Sequence, residues 1–196
     1  NIPLNIEKSI EIIQQKNIIL QDIGVLETED KTITYFNNVA GLGYDGFIVN
    51  KLKKLKPFGS LSYLIAGTYG LFFYKKSVFK VHFNDTEVET NCLMTILGIC
   101  KYSGNGMQFT KDVNPTDGFL DITIAKNITL VDLLLNINRL YNGKIVNHKK
   151  VDTYKTKEIS ITPKHSKTFI QADGELIGNG KVKVNIVKEA IQFVIS

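Results

Sequence analysis

The chain contains few of the residues on which nucleic-acid readers, disulfide-bonded proteins and zinc proteins depend. Arg139 is the only arginine among 196 residues, and because base-edge recognition relies on the arginine fork, we expect no nucleic-acid partner. The two cysteines, Cys92 and Cys100, lie in one predicted strand about 26 Å apart at roughly 3.3 Å per residue, too far for a disulfide. The three histidines are scattered and lack the paired spacing of zinc ligands, so no zinc site is expected.

The sequence also lacks a membrane span and a recognisable signal peptide. The longest apolar stretch, residues 58–74, is interrupted by glycine, serine and threonine. It is shorter than the roughly 20 residues of a spanning helix, so we expect it to be buried. A reducing, cytoplasmic location is the expectation.

Basic residues outnumber acidic ones, 24 to 19, for a formal net charge of +5. Because nearly all of them are lysines, they suit a diffuse anionic surface better than a nucleic acid. Six lysines lie near two aromatic residues in the sequence: Lys51, Lys53, Lys54, Lys56, Lys75 and Lys76, with Phe72 and Phe73. A solvated helix face is the simpler interpretation, and peripheral docking on an anionic membrane surface is the second.

The length and a hydrophobic content of 43% predict one main domain. Runs of β-branched and aromatic residues between turn residues predict strands at 18–26, 32–40, 77–83, 87–100, 118–125, 158–162, 168–172, 182–187 and 190–195. Helices are predicted after Asn5 and over 44–55, 61–74 and 130–141. This density of strands predicts a mainly β fold, an antiparallel two-layer β-sandwich with a few flanking α-helices.

Two short acidic stretches stand out between apolar runs. One is Asn114-Pro115-Thr116-Asp117-Gly118-Phe119-Leu120-Asp121, and the other is Ala172-Asp173-Gly174-Glu175. Each places carboxylates on a sharp turn that glycine permits, where oxygens can converge on a cation or on a reacting hydroxyl. Asp-Gly between apolar residues is also a common hairpin signal, so either stretch alone could be a plain turn.

Two glycine-rich segments have competing interpretations. Gly41-Leu42-Gly43-Tyr44-Asp45-Gly46 matches the dinucleotide-binding fingerprint. The apolar segment 61–66 stands where that fingerprint requires a second strand and an acidic residue, which disfavours a Rossmann fold. Lys101-Tyr102-Ser103-Gly104-Asn105-Gly106-Met107 could bring its backbone close to a ligand or could be a hairpin bend. Ser103 is a poor candidate nucleophile because Lys101 stands where a hydrolase elbow has glycine.

Read together and in order, four motifs resemble the diacylglycerol kinase catalytic family. They are the segments 36–46, 104–107, 115–121 and 172–175, and the resemblance is strongest to the bacterial soluble lipid kinases, relatives of the sphingosine and ceramide kinases. In that family an N-terminal domain with a Gly-Gly-Asp-Gly-Thr motif binds ATP, and that motif is absent here. The resemblance implies that residues 1–27 lead in from a nucleotide-binding domain. Residues 28–196 would form the C-terminal β-sandwich, inactive alone.

The resemblance also implies roles for single residues. Glu175 corresponds to the proposed general base that takes the proton of the lipid hydroxyl, and Asp173 would orient it or bind metal indirectly. The resemblance further assigns a Mg²⁺ site and a cofactor-binding turn: Asn114, Asp117 and the Phe119 carbonyl for the metal, and Gly104, Asn105 and Gly106 for the turn. Two positions depart from the family pattern. This chain has Asn114 where some relatives have an acid, and it has Asn105 where the family usually has the middle residue of three consecutive glycines.

The implied function is an ATP- and Mg²⁺-dependent lipid kinase that transfers the γ-phosphate to a hydroxyl of diacylglycerol or a related lipid. Such an enzyme would be cytoplasmic and peripheral at an anionic membrane, and a homodimer is left open. Two alternatives stand beside it: a kinase of NAD, and a non-catalytic lipid-binding or regulatory module.

Overall fold

A computed structural model describes residues 2–3, 5–55, 69–70, 72–104, 106–164 and 168–195. Eleven strands lie in this part of the chain: β1 (Ile18–Thr28), β2 (Ile33–Phe36), β3 (Val39–Gly43), β4 (Ser77–Phe83), β5 (Thr86–Gly98), β6 (Leu120–Lys126), β7 (Val151–Thr156), β8 (Glu158–Pro163), β9 (Phe169–Ala172), β10 (Glu175–Asn179) and β11 (Val182–Val194). The helices with both ends in this part of the chain are α1 (Ile6–Gln15), α2 (Tyr44–Leu55), α3 (Leu130–Leu135), α4 (Ile137–Tyr141) and a 3-10 turn (Lys144–Asn147).

The strands form one antiparallel sheet that branches at β5. The first half of β5 pairs with β4, and the sheet continues through β8, β11, β1 and β2. The second half of β5 lies between β3 and β6, which lead on to β9 with β10 and to β7, respectively. The branched sheet is nearly closed into a barrel-like sandwich, which confirms the predicted mainly β fold with few helices.

Alternation along β5 separates two apolar cores. Leu97 and Ile99 belong to the larger cluster inside the sandwich, together with Phe79 and Ile122. Met94 and Ile96 belong to a second cluster, which includes Tyr44 at the start of α2. Because neighbouring side chains of a strand point to opposite faces, the second half of β5 is buried and largely apolar on both faces, whereas its first half alternates between exposed and partly buried residues.

The local signals for helix ends are confirmed. The Asn5 side chain accepts a hydrogen bond from the Lys8 amide at 3.0 Å, and α1 begins at the next residue. Helix α2 spans the predicted residues 44–55. Thr129 and Asp132 form a reciprocal capping box. The predicted helix 130–141 is nevertheless two helices, since it is interrupted at Asn136.

Three differences from the predicted strands come from long-range pairing. The predicted strand 32–40 is divided into β2 and β3 by a bend at residues 37–38. The segments 182–187 and 190–195 are one strand, β11, paired with β1 through a register shift. Strands β7 and β10 were not predicted. Residues 151–156 do carry a strand signal in Val151, Thr153, Tyr154 and Thr156, and they pair with β6. In β10 the only β-branched residue is Ile177, and pairing with β9 decides its conformation.

Some predictions fall partly outside the described residues. Of the predicted helix 61–74, residues 69–70 and 72–74 are described; 69–70 and 72–73 are helical, and Tyr74 lies beyond the end of the helix. Strand β1 pairs with both β2 and β11, so it belongs to the same sheet as the rest. The predicted division between residues 27 and 28 stays a prediction. No helix among the described residues is long and apolar enough to cross a bilayer.

Candidate functional site

The acidic stretch 172–175 is a two-residue hairpin between β9 and β10. Ala172 and Glu175 face each other in the strand register, and Asp173 and Gly174 have φ of 47° and 82°. Two consecutive residues with positive φ are the requirement of the type I′ hairpin turn, which Asp-Gly satisfies with little strain. The turn therefore has one well-defined backbone path, and Glu175 stands at its end.

The Asp173 carboxylate holds this turn against the bend that connects β2 to β3. Its Oδ2 accepts a hydrogen bond from the Asn37 amide at 2.8 Å, and its Oδ1 accepts from the Asn38 and Val39 amides, each at 3.0 Å. The Asp173 amide in turn donates to the Val39 carbonyl at 2.9 Å. A carboxylate that satisfies three consecutive amides is a strong positioning group. The catalytic role assigned to Asp173 by resemblance stays a prediction, and the contacts describe a residue that fixes the turn.

Gln171 connects the same turn to the start of α2. Its Oε1 accepts from the Gly174 amide at 2.9 Å, and its Nε2 donates to Asp45 Oδ2 at 2.5 Å. Gln171 is buried, so these bonds are shielded from water. Burial raises the pKa of Asp45 to about 6, while the Gln171 hydrogen bond opposes that rise.

Two glycines of the 41–46 segment allow α2 to start this close to the sheet. A Cβ at Gly41 would lie 2.1 Å from Asp45 Oδ2, and a Cβ at Gly46 would lie 2.4 Å from the Phe169 carbonyl oxygen. The segment forms the end of β3 and the first turn of α2. This confirms the predicted strand-to-helix junction, and the glycines serve close packing against β9.

Glu175 is exposed at the first position of β10. Within the described part of the chain its carboxylate accepts no hydrogen bond and joins no ion pair. The side chain is therefore free to meet a hydroxyl group, while its backbone is held by the Asp173 and Gln171 contacts. A free carboxylate on a fixed turn is the arrangement that proton abstraction requires.

The stretch 114–121 is built differently, because its oxygens are directed to donors. Asn114 Oδ1 accepts from the Thr116 amide at 3.1 Å and the Thr116 hydroxyl at 2.9 Å. Asp117 Oδ1 accepts from the Phe119 amide at 3.0 Å. Asp117 Oδ2 accepts a hydrogen bond from the Lys155 ammonium group at 2.7 Å. The loop is thus closed by local turn bonds and by the ion pair between Asp117 and Lys155, and a second acid of the stretch, Asp121, also pairs with this lysine.

A buried aspartate from β1 anchors this loop. Asp22 is completely buried, and its carboxylate accepts from the Gly118 amide at 2.6 Å and the Glu189 amide at 2.8 Å. The Asp22 amide donates to the Pro115 carbonyl at 2.8 Å. These bonds bring together β1, β11 and the 114–121 loop at the register shift of β1. The polar pair Gln21-Asp22 inside an apolar strand is the sequence signal for this anchor.

Asp121 lies beside the same ammonium group. It faces Lys155 across the β6 and β7 pairing, with 3.5 Å between Asp121 Oδ2 and Lys155 Nζ. That separation allows an ion pair, although Oδ2 is buried without a hydrogen bond from any described residue. Burial raises the pKa of Asp121 to about 6, and the charge of Lys155 opposes the rise. Among the described residues, no three His, Cys, Asp or Glu side chains converge as a metal site.

The third predicted element, the glycine turn, is a tight hairpin in the part that is described. Ser103 and Met107 exchange two backbone hydrogen bonds of 2.9 and 2.8 Å. Gly104 and Gly106 have φ of 42° and 93°, which glycine adopts without strain. Asn105 lies outside the described residues. Nucleotide or cofactor binding at this turn stays a prediction.

The comparisons with known proteins agree with this architecture. Residues 38–195 match the family described as the YegS C-terminal NAD kinase beta sandwich-like domain. The chain belongs to this family. The match contains β3 to β11 and both acidic stretches.

Individual relatives are more distant. The chain is 22% identical over 173 residues to a diacylglycerol kinase of Mycobacterium tuberculosis, which covers 87% of this chain and 55% of that protein. A crystal structure of a diacylglycerol kinase from Bacillus anthracis shares its fold with a TM-score of 0.69 at 15% identity, over 100% of this chain and 60% of that one. Yeast NADH kinase complexed with NADH has a TM-score of 0.52 at 10% identity, over 95% and 48% of the two chains.

These similarities are limited in coverage and in sequence identity. The chain spans just over half the length of the curated relative it matches. These two solved structures are too different in sequence to show more than a shared fold. What these structures share with this chain is the β-sandwich fold.

Proposed function

We propose that this chain is the substrate-side domain of an ATP- and Mg²⁺-dependent lipid kinase that phosphorylates a hydroxyl of diacylglycerol or a related lipid. The single observation that carries the proposal is the exposed Glu175 carboxylate on a turn fixed by Asp173 and Gln171. The relatives named diacylglycerol kinase supply the reaction class. Nucleotide binding would come mainly from the other half of the full-length enzyme.

Each residue of the turn has a part in this proposal. A lipid hydroxyl is a weak nucleophile, and Glu175 would accept its proton as the oxygen attacks the γ-phosphorus. ATP would supply the γ-phosphoryl group and leave as ADP when its β–γ P–O bond breaks, and Mg²⁺ would neutralise charge on the phosphate oxygens. Asp173 and Gln171 would keep the Glu175 backbone in place, so that little reorganisation accompanies the reaction.

The test is Glu175→Gln in the full-length protein. The amide keeps the size of the side chain and cannot accept the proton, so lipid phosphorylation from radiolabelled ATP should fall by about 100-fold or more. ATP binding and thermal stability should stay at wild-type levels, since the carboxylate has no partner among the described residues. Glu158→Gln, an exposed glutamate on β8, is the matched control. Turnover of Glu175→Gln within about threefold of wild type would reject the assignment.

The same assay separates the alternatives. The family description and the fold of yeast NADH kinase keep a nucleotide kinase as a second candidate. A panel of diacylglycerol, sphingosine, ceramide and NAD identifies which acceptor carries the label. Failure of every acceptor in the full-length protein would favour a binding module without catalytic activity.

We further propose that the domain docks on an anionic membrane surface through Lys51, Tyr69, Phe72 and Phe73. Phe72 and Phe73 are 69% and 63% exposed. The Tyr69 ring stacks on Phe73 with 4.5 Å between centroids, and Lys51 Nζ lies 4.9 Å from the Tyr69 ring. Exposed aromatic rings beside lysines suit the boundary between lipid headgroups and acyl chains.

Cosedimentation with vesicles tests this surface. Wild-type protein should bind vesicles that contain phosphatidylglycerol and bind pure phosphatidylcholine weakly, and Phe72→Ser with Phe73→Ser should reduce binding severalfold. Tyr35→Ser, at an exposed aromatic on β2, is the control. Equal binding of all three proteins would place the docking surface elsewhere or exclude it.

A further inference from the structure

The loop to which the resemblance assigns a Mg²⁺ ion does not fit that ion. A divalent cation of this kind needs several free oxygens at near-octahedral positions. Both donor groups of Thr116 already occupy Asn114 Oδ1, and the Phe119 amide occupies Asp117 Oδ1. Of the side-chain oxygens assigned to the metal, only Asp117 Oδ2 is directed away from the loop backbone, and it contacts an ammonium group.

Oxygen atoms surround that ammonium group as they would surround a metal ion. Lys155 Nζ lies 2.7 Å from Asp117 Oδ2, 3.5 Å from Asp121 Oδ2 and 3.5 Å from the Asp112 carbonyl oxygen. Asp117 belongs to the loop, Asp121 belongs to β6, and Asp112 lies two residues before the loop. The Lys155 side chain is 39% exposed and that of Asp121 is 4% exposed, so the charge points inward from the surface to a buried acid.

The sheet fixes this lysine in place. Lys155 and Asp121 are opposite each other in the antiparallel pairing of β6 with β7. Side chains of directly opposed residues lie on the same face and within contact distance. The strand register therefore places the Lys155 side chain on the same face as Asp121, and Asp117 of the loop contacts its ammonium group.

We propose that the Lys155 ammonium takes the place of a metal ion in the 114–121 loop, so that this chain fixes the loop without a bound divalent cation. One positive charge then balances part of the negative charge of Asp117 and Asp121. The Asn114 amide agrees with this arrangement, because a neutral side chain at that position adds no further anion. The proposal concerns the loop alone and does not depend on the proposed lipid kinase activity.

The test uses Lys155→Met, which keeps the aliphatic stem and removes the charge. Thermal unfolding of the purified protein without nucleotide should give a Tm about 4–8 °C below wild type. Mg²⁺ or Ca²⁺ at millimolar concentration should recover part of this loss in Lys155→Met, because the acids regain a cation. Wild-type Tm should be unchanged by Mg²⁺, Ca²⁺ or EDTA.

Lys183→Met is the matched control, since Lys183 forms a well-exposed cross-strand pair with Glu158 at 3.0 Å and such pairs contribute little. Hydrogen exchange in residues 112–121 gives a local measure that unfolding elsewhere would not change. The proposal is overturned if Lys155→Met melts as wild type does, or if Mg²⁺ raises the wild-type Tm and slows exchange in this loop. A destabilised variant that neither cation restores would reject the exchange of lysine for metal.

Discussion

Replacing Asp173 by alanine should loosen the turn that carries Glu175. The change removes the acceptor of three backbone amides, those of Asn37, Asn38 and Val39, at 2.8 to 3.0 Å. Hydrogen bonds to a charged acceptor contribute about 1.5–3 kcal/mol each when shielded. Asp173 is exposed and water can partly replace it, so we use about 1 kcal/mol per amide. Alanine at φ 47° adds roughly 1 kcal/mol of backbone strain.

The expected loss in the free energy of unfolding is therefore about 3–4 kcal/mol. For a chain of this size the Tm should fall by roughly 6–16 °C, measured by calorimetry. Hydrogen exchange should become faster at the amides of residues 37–39. Two further variants separate the lost hydrogen bonds from the backbone strain. Asp173→Asn keeps one acceptor oxygen and tolerates positive φ, whereas Asp173→Gly loses both oxygens and adopts positive φ without strain.

The order of stability should be wild type, Asp173→Asn, Asp173→Gly and Asp173→Ala. Lipid phosphorylation by the full-length Asp173→Asn protein should fall less than that of Glu175→Gln, because the turn is weakened and the base remains. An Asp173→Ala protein within about 1 kcal/mol of wild type, with unchanged exchange at residues 37–39, would refute the positioning role.

Two other predictions concern the packing around this turn. Because burial raises the pKa of Asp45 to about 6, the folded chain retains a proton that the unfolded chain releases near pH 4. The free energy of unfolding should fall as pH rises from about 4 to about 6, and this dependence should be weaker in Asp45→Asn. Denaturant unfolding at several pH values measures it, and the same pH dependence in wild type and variant would contradict the raised pKa. Gly46→Ala should lower the free energy of unfolding by about 1–3 kcal/mol, since its Cβ would lie 2.4 Å from the Phe169 carbonyl oxygen. Gly178→Ala, where a Cβ meets nothing within 4 Å, should be nearly neutral, and equal losses in both variants would show that packing is not the cause.

Much of the secondary structure could be predicted from local patterns. The alternation of Ser77–Phe83 marks β4 at its observed bounds, because one face of the strand is buried and the other is exposed. Asn5 and Thr129 mark helix starts through side-chain hydrogen bonds that span three residues. The break at Asn136 was not predictable in this way, since the apolar pattern continues across it.

The candidate site was predicted in its parts but not in its connections. The sequence indicated that Glu175 stands at the end of an Asp-Gly turn, and the structure agrees. It did not indicate that Asp173 reaches amides 134 to 136 residues earlier, or that Gln171 reaches Asp45 across 126 residues. Such partners depend on which strands become neighbours.

The amino-acid sequence by itself determined most of the strands, the helix caps and the two acidic turns, because each depends on interactions within a few residues. The tertiary structure decided what the carboxylates do. Asp173 meets backbone amides, Asp117 meets Lys155, and Glu175 meets no described partner. The physical reason is that a charged side chain takes its role from the groups the folded sheet brings to it, and the sheet pairs residues far apart in the chain.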